Sequence, residues 1–200
     1  MMNKLAGALA VAAAMGMNIA FAAETTFDQQ TLHPEEQPHK SEFSADEVLT
    51  KARGFFGSTT EGLAKAIEKL FAEQGKPNAI ITGEEGSGAV VVGLRYGKGV
   101  LELPSGETRT IYWQGPSVGF DLGGNGAKVF TLIYHLDDVE KIYQRFPGVD
   151  GSLYFVAGLS LNYQRSGNIT IAPIRTGVGW RQGISLGYLH YTKKKSYNPL

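Results

Sequence analysis

The chain has no cysteine in its 200 residues. That absence removes disulfides, thiolate metal ligands, a thiol nucleophile and a lipid-modified cysteine together. Net charge is absent too, since 19 lysines and arginines balance 19 aspartates and glutamates. Such a chain has no global field to draw it onto nucleic acid or anionic lipid, so nucleic acid is not an expected partner and any charged contact must come from a local patch. Long apolar runs are also missing. The run at residues 5–19 is shorter than the about 20 residues a spanning helix needs, and none follows it, so the chain is not expected to span a membrane with a helix.

What is present begins with an export signal. Lys4 supplies a positive start, residues 5–19 an alanine-rich apolar stretch, and Ala20-Phe21-Ala22 the small-x-small cleavage form. Residues 1–23 therefore read as a signal peptide cleaved near Ala22 or Ala23, and the mature chain is expected in the periplasm. Residues 24–42 are polar, carry two prolines and show no apolar period, which predicts a disordered leader. His33 and His39 flank two glutamates there, but a disordered segment loses entropy for every ligand it fixes, so no metal site is expected. Residues 43–197 remain for a single β-barrel-like domain with room for a real core.

Capping chemistry announces the helices. Ser44 and Glu47 form a capping box, and Phe43 and Val48 occupy hydrophobic-staple positions, so a helix over 45–55 ending at Gly57 is specified twice. Ser58 and Glu61 repeat the box. Leu63, Ala66, Ile67, Leu70 and Phe71 then recur at helical spacing over 59–74, until Gly75 and Pro77. The opposite face mixes both signs of charge, as expected of a helix laid on a sheet.

After Asn78 the period falls to 2. Val90, Val92, Leu94 and Tyr96 alternate with Ala89 and Gly93, and Val118, Phe120 and Leu122 with Ser117, Gly119, Asp121 and Gly123. Leu153, Phe155, Leu159 and Leu161 oppose Ser152, Gly158 and Ser160, and Val178, Trp180, Ile184, Leu186 and Tyr188 oppose Gly179, Gly183, Ser185 and Gly187. Each predicted strand thus has a bulky face and a nearly bald one, which permits tight curvature. Residues 128–136 are apolar on both faces, which predicts a central strand. Asp137 and Glu140 are read as caps of a further helix over 138–146, closed by Pro147-Gly148. The expected fold is mainly β (α+β), a small closed or strongly curved antiparallel β-barrel with two or three short peripheral helices.

No catalytic set is evident. Gly115-Pro116-Ser117-Val118-Gly119 and Gly183-Ile184-Ser185-Leu186-Gly187 match the nucleophile-elbow pattern, but both run on in strand periodicity where an elbow turns into a helix. The glycine-rich segments 83–88 and 93–99 lack proper phosphate-loop spacing, and the four histidines do not cluster, so neither cofactor nor catalytic residues are expected. The pairs Glu84-Glu85 and Asp137-Asp138 read as a loop and as helix-capping residues. Arg165, Arg175 and Arg181 lie in or beside apolar, aromatic strands, where a guanidinium either pairs internally or offers its planar fork to a carboxylate, phosphate or sugar acid. With Trp113 and Trp180 they form the candidate ligand-binding set. Lys193 to Lys195 read as a solvated basic end.

Three segments are familiar together: Trp113-Gln114-Gly115-Pro116-Ser117-Val118-Gly119-Phe120-Asp121-Leu122-Gly123-Gly124, Arg145-Phe146-Pro147-Gly148-Val149-Asp150-Gly151-Ser152, and Tyr163-Gln164-Arg165 with Pro173-Ile174-Arg175-Thr176-Gly177-Val178-Gly179. They resemble the periplasmic alphaproteobacterial family of envelope integrity protein A, over residues 43–197. The resemblance implies a small antiparallel barrel with peripheral helices, a periplasmic location, support of envelope integrity under stress, and no catalytic residues. A weaker likeness, through Gly86-Ser87-Gly88, Gly119-Phe120-Asp121-Leu122-Gly123 and the order of elements, reaches the SYLF lipid-binding domains. Those use an amphipathic N-terminal helix on phosphoinositides, whereas the helix over 59–74 here has no basic face, so only a lipid or apolar ligand carries over.

The leading expectation is a non-enzymatic soluble periplasmic protein that supports envelope integrity and binds a lipid or an envelope glycan. Protein partners are unspecified by the sequence. An integral outer-membrane barrel is the alternative from strand periodicity, opposed by the helices. A hydrolase of envelope polymers comes third, for want of an acid, base and nucleophile set.

Overall fold

The computed structural model describes residues 40–57, 61–89, 92–118, 126–156, 158–176 and 187–196. The export signal, residues 24–39 of the leader, and the predicted strand residues 119–123 and 178–186 lie outside them.

Helices α1 (Ala45–Phe56) and α2 (Glu61–Gln74) come first. The Ser44 N–H donates to Glu47 Oε2 at 2.9 Å while the Glu47 N–H donates to Ser44 Oγ at 3.4 Å, which completes the predicted box. Phe43 and Val48 are both buried, as a staple requires, and Gly57 ends the helix with a positive φ of 84°. Ser44→Ala is expected to lower stability by about 1 kcal/mol, seen as an earlier urea midpoint at unchanged m-value. Ser58 of the second box lies outside the described residues, but α2 buries Leu63, Ala66, Ile67 and Leu70 as its spacing predicts.

Ten antiparallel strands follow among the described residues: β1 (Ala79–Ala89), β2 (Val92–Glu102), β3 (Thr108–Val118), β4 (Ala127–Tyr134), β5 (Arg145–Pro147), β6 (Tyr154–Val156), β7 (Leu159–Leu161), β8 (Gln164–Ser166), β9 (Ile169–Thr176) and β10 (Tyr188–Thr192). They pair in the order β5-β10-β3-β2-β1-β4-β9-β7-β6, and β8 also pairs with β9. An isolated bridge between Gly148 and Gln164 joins the end of β5 to β8, supported by Val149 N–H donating to the Tyr163 carbonyl at 2.9 Å. Eight strands thereby form a ring, β5-β10-β3-β2-β1-β4-β9-β8, while β7 and β6 branch from β9.

Alternation sorts the strand residues into two cores. Ile81, Leu101, Ile111, Trp113, Val129, Ile133, Phe146, Ile171, Leu189 and Tyr191 pack inside the ring. Ile80, Phe130, Leu132, Tyr134, Ala172 and Ile174 point outward, where Val48, Ala52, Leu63, Ile67 and Leu70 of the helices cover them. Strand β4 serves both cores, so its two apolar faces did signal a central position.

Three expectations are corrected. The segment predicted as one strand over 88–96 is divided between β1 and β2, because Ala89 of β1 pairs antiparallel with Gly93 of β2. The helix predicted over 138–146 shrinks to a 3-10 turn, Val139–Ile142, capped by Asp138 and not by the expected Asp137. Its end becomes β5, drawn into the sheet by pairing of Phe146 with Leu189 and by burial of the Phe146 ring. Residues 153–161 form two short strands on either side of Gly158, whose φ is 83°, and Phe155 stays 44% exposed.

Candidate functional site

The bald face of β2 is the inside of the ring. On that face Arg95, Gly97, Gly99 and Leu101 follow one another, and Trp113 of β3 stands opposite Gly97. A Cβ at Gly97 would lie 2.0 Å from Trp113 Cε2, and one at Gly83 would lie 2.7 Å from Trp113 Cη2. The indole therefore occupies the volume that side chains there would need. Tyr191 flanks it at a ring separation of 6.1 Å, and Phe146 flanks Tyr191 at 5.9 Å. Large aromatic rings fill the barrel beside the glycines.

Toward the β1–β2 turn the interior becomes charged. Arg175 of β9 donates through Nε to Glu85 Oε1 at 2.6 Å, and Arg95 donates through Nη1 to the same oxygen at 3.3 Å. Trp113 Nε1 donates to Glu85 Oε2 at 3.1 Å. Arg175 Nη1 donates to Asn162 Oδ1 at 2.9 Å, beyond the end of β7. All three charged side chains are buried. Burial alone would raise the Glu85 carboxyl, but the charges of Arg175 and Arg95, with the Trp113 and Arg175 hydrogen bonds, overcome it and hold the group below its ordinary range.

Outside the ring, the helices cover Ile80 near the start of β1, and the outer face of β1, β2 and β3 continues beyond it. An open groove of about 870 Å³ runs across it, lined by Glu84, Tyr96, Lys98, Tyr112, Gln114 and the glycines above Trp113, with Phe55 of α1 and Lys195 and Ser196 at its sides. Lys98 pairs with Tyr112 across the two strands, its ammonium 6.0 Å from the ring centre. The groove thus combines aromatic rings, an amide, a carboxylate and two ammonium groups.

Of the candidate residues, the structure brings Trp113 and Arg175 together through Glu85. Arg165 is separate. It is exposed on β8 and donates through Nε to Thr170 Oγ1 at 3.1 Å. Trp180 and Arg181 lie outside the described residues. Glu85, Arg95 and Asn162 were missed. Glu85 shares strand parity with Ala79 and Ile81, and that parity was the available signal, but the surrounding glycines read as a loop. Residues 115–118 of the first elbow match fall in β3, where Ser117 pairs with Gly93 in an ordinary ladder.

Comparison with known proteins agrees with this architecture. A crystal structure described as a β-barrel-like, uncharacterised protein from Brucella abortus is similar at 45% identity and a TM-score of 0.74, covering 80% of this chain and 100% of that one. No curated protein matches. The sequence profile of the envelope integrity protein A family matches residues 41–200, and the chain belongs to that family.

Proposed function

We propose that the protein is exported to the periplasm, has no enzymatic role, and supports the envelope under stress by holding an envelope glycan in the groove over β1, β2 and β3. The groove is the observation that carries this reading. Aromatic rings offer flat apolar faces to sugar rings, while Glu84 and Lys98 offer hydroxyl partners. A lipid acyl chain fits less well, because Trp113, Phe146 and Tyr191 fill the described barrel interior. Membership of an envelope integrity family supports the setting, and the signal at residues 1–23 supports export.

The inside of the ring is largely apolar and part of its outside is covered by helices, the reverse of a membrane-spanning barrel with a polar lumen and a lipid-facing band. No helix among the described residues is long and apolar enough to cross a membrane. Recovery of the protein in an osmotic-shock fluid is the expected result, and retention in outer-membrane pellets after carbonate washing would overturn the soluble reading.

Calorimetric titration with purified envelope glycan fragments is expected to give saturable binding that Tyr112→Ala and Tyr96→Ala each weaken by about tenfold, the loss of roughly 1.4 kcal/mol of ring contact. Binding of anionic lipid vesicles with no glycan binding would replace the glycan by a lipid headgroup. Binding that ignores both tyrosines would remove the groove from the function.

A further inference from the structure

We infer that the cleft at the end of the ring where β1 and β9 begin and β4 and β8 end is a second site for a neutral sugar, held by His135 and Asn168. The inference rests on the reading that the protein handles envelope glycan, but it concerns a different surface, since the cleft and the outer groove share no lining residue. The cleft is open and about 600 Å³ in volume, a size suited to a small ligand. Side chains fix its walls. Asn78 donates through Nδ2 to the Leu136 carbonyl at 2.9 Å, and the Leu136 N–H donates to Asn78 Oδ1 at 3.1 Å. Across the cleft, Gln144 donates through Nε2 to the Lys141 carbonyl at 2.6 Å and accepts from Ser166 Oγ at 2.9 Å, which ties the start of β5 to β8. Walls held in this way need little reordering on binding.

Two lining side chains take no part in these ties. His135 and Asn168 are exposed, and neither has a hydrogen-bond or ion-pair partner. His135 is also kept against a backbone cost. Its φ is 59°, and among the described residues it is the one residue other than glycine with a positive φ, whereas six glycines take the other such positions. Glycine would close the same turn without the Cβ penalty, so the imidazole is retained for what it does.

The other groups select the ligand. Asp137 and Lys141 form an ion pair four residues apart, so the carboxylate and the ammonium of the lining cancel. An imidazole, an amide and the Ser166 hydroxyl oxygen remain, donors and acceptors that match neighbouring sugar hydroxyls. Ile169 is the one aliphatic side chain of the lining, too little for an acyl chain. A peptide would add along a free strand edge, but the Asn78 N–H is bonded to the Ile133 carbonyl, and β8 and β9 pair with each other through Ser166 and Ile169.

The mature chain is titrated with N,N′-diacetylchitobiose, a neutral disaccharide, and followed by the NMR signals of the Asn168 amide and the His135 ring. Saturable shifts at both are expected. Asn168→Ala and His135→Gly, each read at the other's signal, are expected to weaken binding about tenfold. His135→Gly should also hold or raise Tm, because it relieves the positive φ and leaves the Asn78 bonds in place. Tyr112→Ala, in the outer groove, should leave the shifts unchanged. The deacetylated, cationic form of the disaccharide is expected to bind more weakly, and an equal or stronger response to it overturns the assignment to a neutral sugar. Absence of shifts at both signals overturns the site. So do shifts that survive both substitutions, their loss in Tyr112→Ala, or a response to trialanine in place of the disaccharide. If Tyr112→Ala leaves all glycan binding untouched while these shifts persist, the outer groove fails and this site stands.

Discussion

Glu85→Gln is expected to lower stability by about 3 to 5 kcal/mol, because it leaves two guanidinium groups buried without their counter-charge. For a domain of this size that is a fall in Tm of roughly 6 to 20 °C, measurable by circular dichroism. Only one of Arg175 Nε and Trp113 Nε1 could keep an acceptor, because the amide nitrogen that replaces the second oxygen is itself a donor, so the loss combines the missing charge with one broken hydrogen bond. The same carboxylate gives the fold an acid limit. Its pKa is lower in the folded than in the unfolded state, where a glutamate titrates near about 4.3. The stabilisation it supplies is therefore fully present above the unfolded value, and is lost as pH falls toward and through the folded one. Glu85→Gln should abolish that share of the acid sensitivity. If wild type and variant lose stability in parallel between neutral pH and pH 3, the Glu85 pair is not the source.

Gly97→Val is expected to abolish folding or to cost at least about 3 kcal/mol, through overpacking against a ring that cannot yield. The new Cβ would come within 2.0 to 2.3 Å of Trp113 Cε2, Cζ2 and Nε1. A flexible side chain could swing away, but the indole is anchored by its hydrogen bond to Glu85 and flanked by Tyr191. The diagnostic measurement is the double variant Gly97→Val with Trp113→Leu. It should recover soluble, cooperatively melting protein that Gly97→Val alone does not give. Strict additivity of the two losses would show that the clash lies elsewhere.

These two substitutions mark where sequence reading succeeds and where it stops. The box at Ser44 and Glu47 was legible because its partners are three residues apart and no distant contact competes. The central position of β4 was legible because burial on both faces places apolar residues on each, Val129 and Ile133 on one and Phe130 and Leu132 on the other. The period of β2 was legible, but the assignment of its faces was not. Alternation alone does not say which face is inside, and Leu94 on the bulky face is 37% exposed while the glycines face inward. The deciding fact is an indole supplied by another strand, and no local pattern in β2 announces it. Phe146 illustrates the same override. Its segment has helix caps, but pairing with β10 from some forty residues later turns it into a strand. Of the candidate residues, Arg175 is buried among apolar strand residues and Arg165 is exposed, a difference that residue type and strand context alone do not disclose. Glu85 was hidden because Gly83-Glu84-Glu85-Gly86-Ser87-Gly88 has the composition of a turn, and only its ladders with β2 and β4 hold it extended.

The place of β10 has a consequence for biogenesis. It lies between β3 and β5, so both of those strands offer unpaired edges until Tyr188–Thr192 arrives. A chain emerging N-terminus first from a ribosome or a translocation pore has its helices and the β1-β2-β3 meander available long before that strand. During the interval the half-built sheet can recruit a neighbouring copy as readily as its own missing piece. The length of that interval, set by synthesis and export rates, governs how much of the protein is lost to aggregation, and a chaperone that masks the β3 edge would protect the yield without changing the stability of the finished barrel.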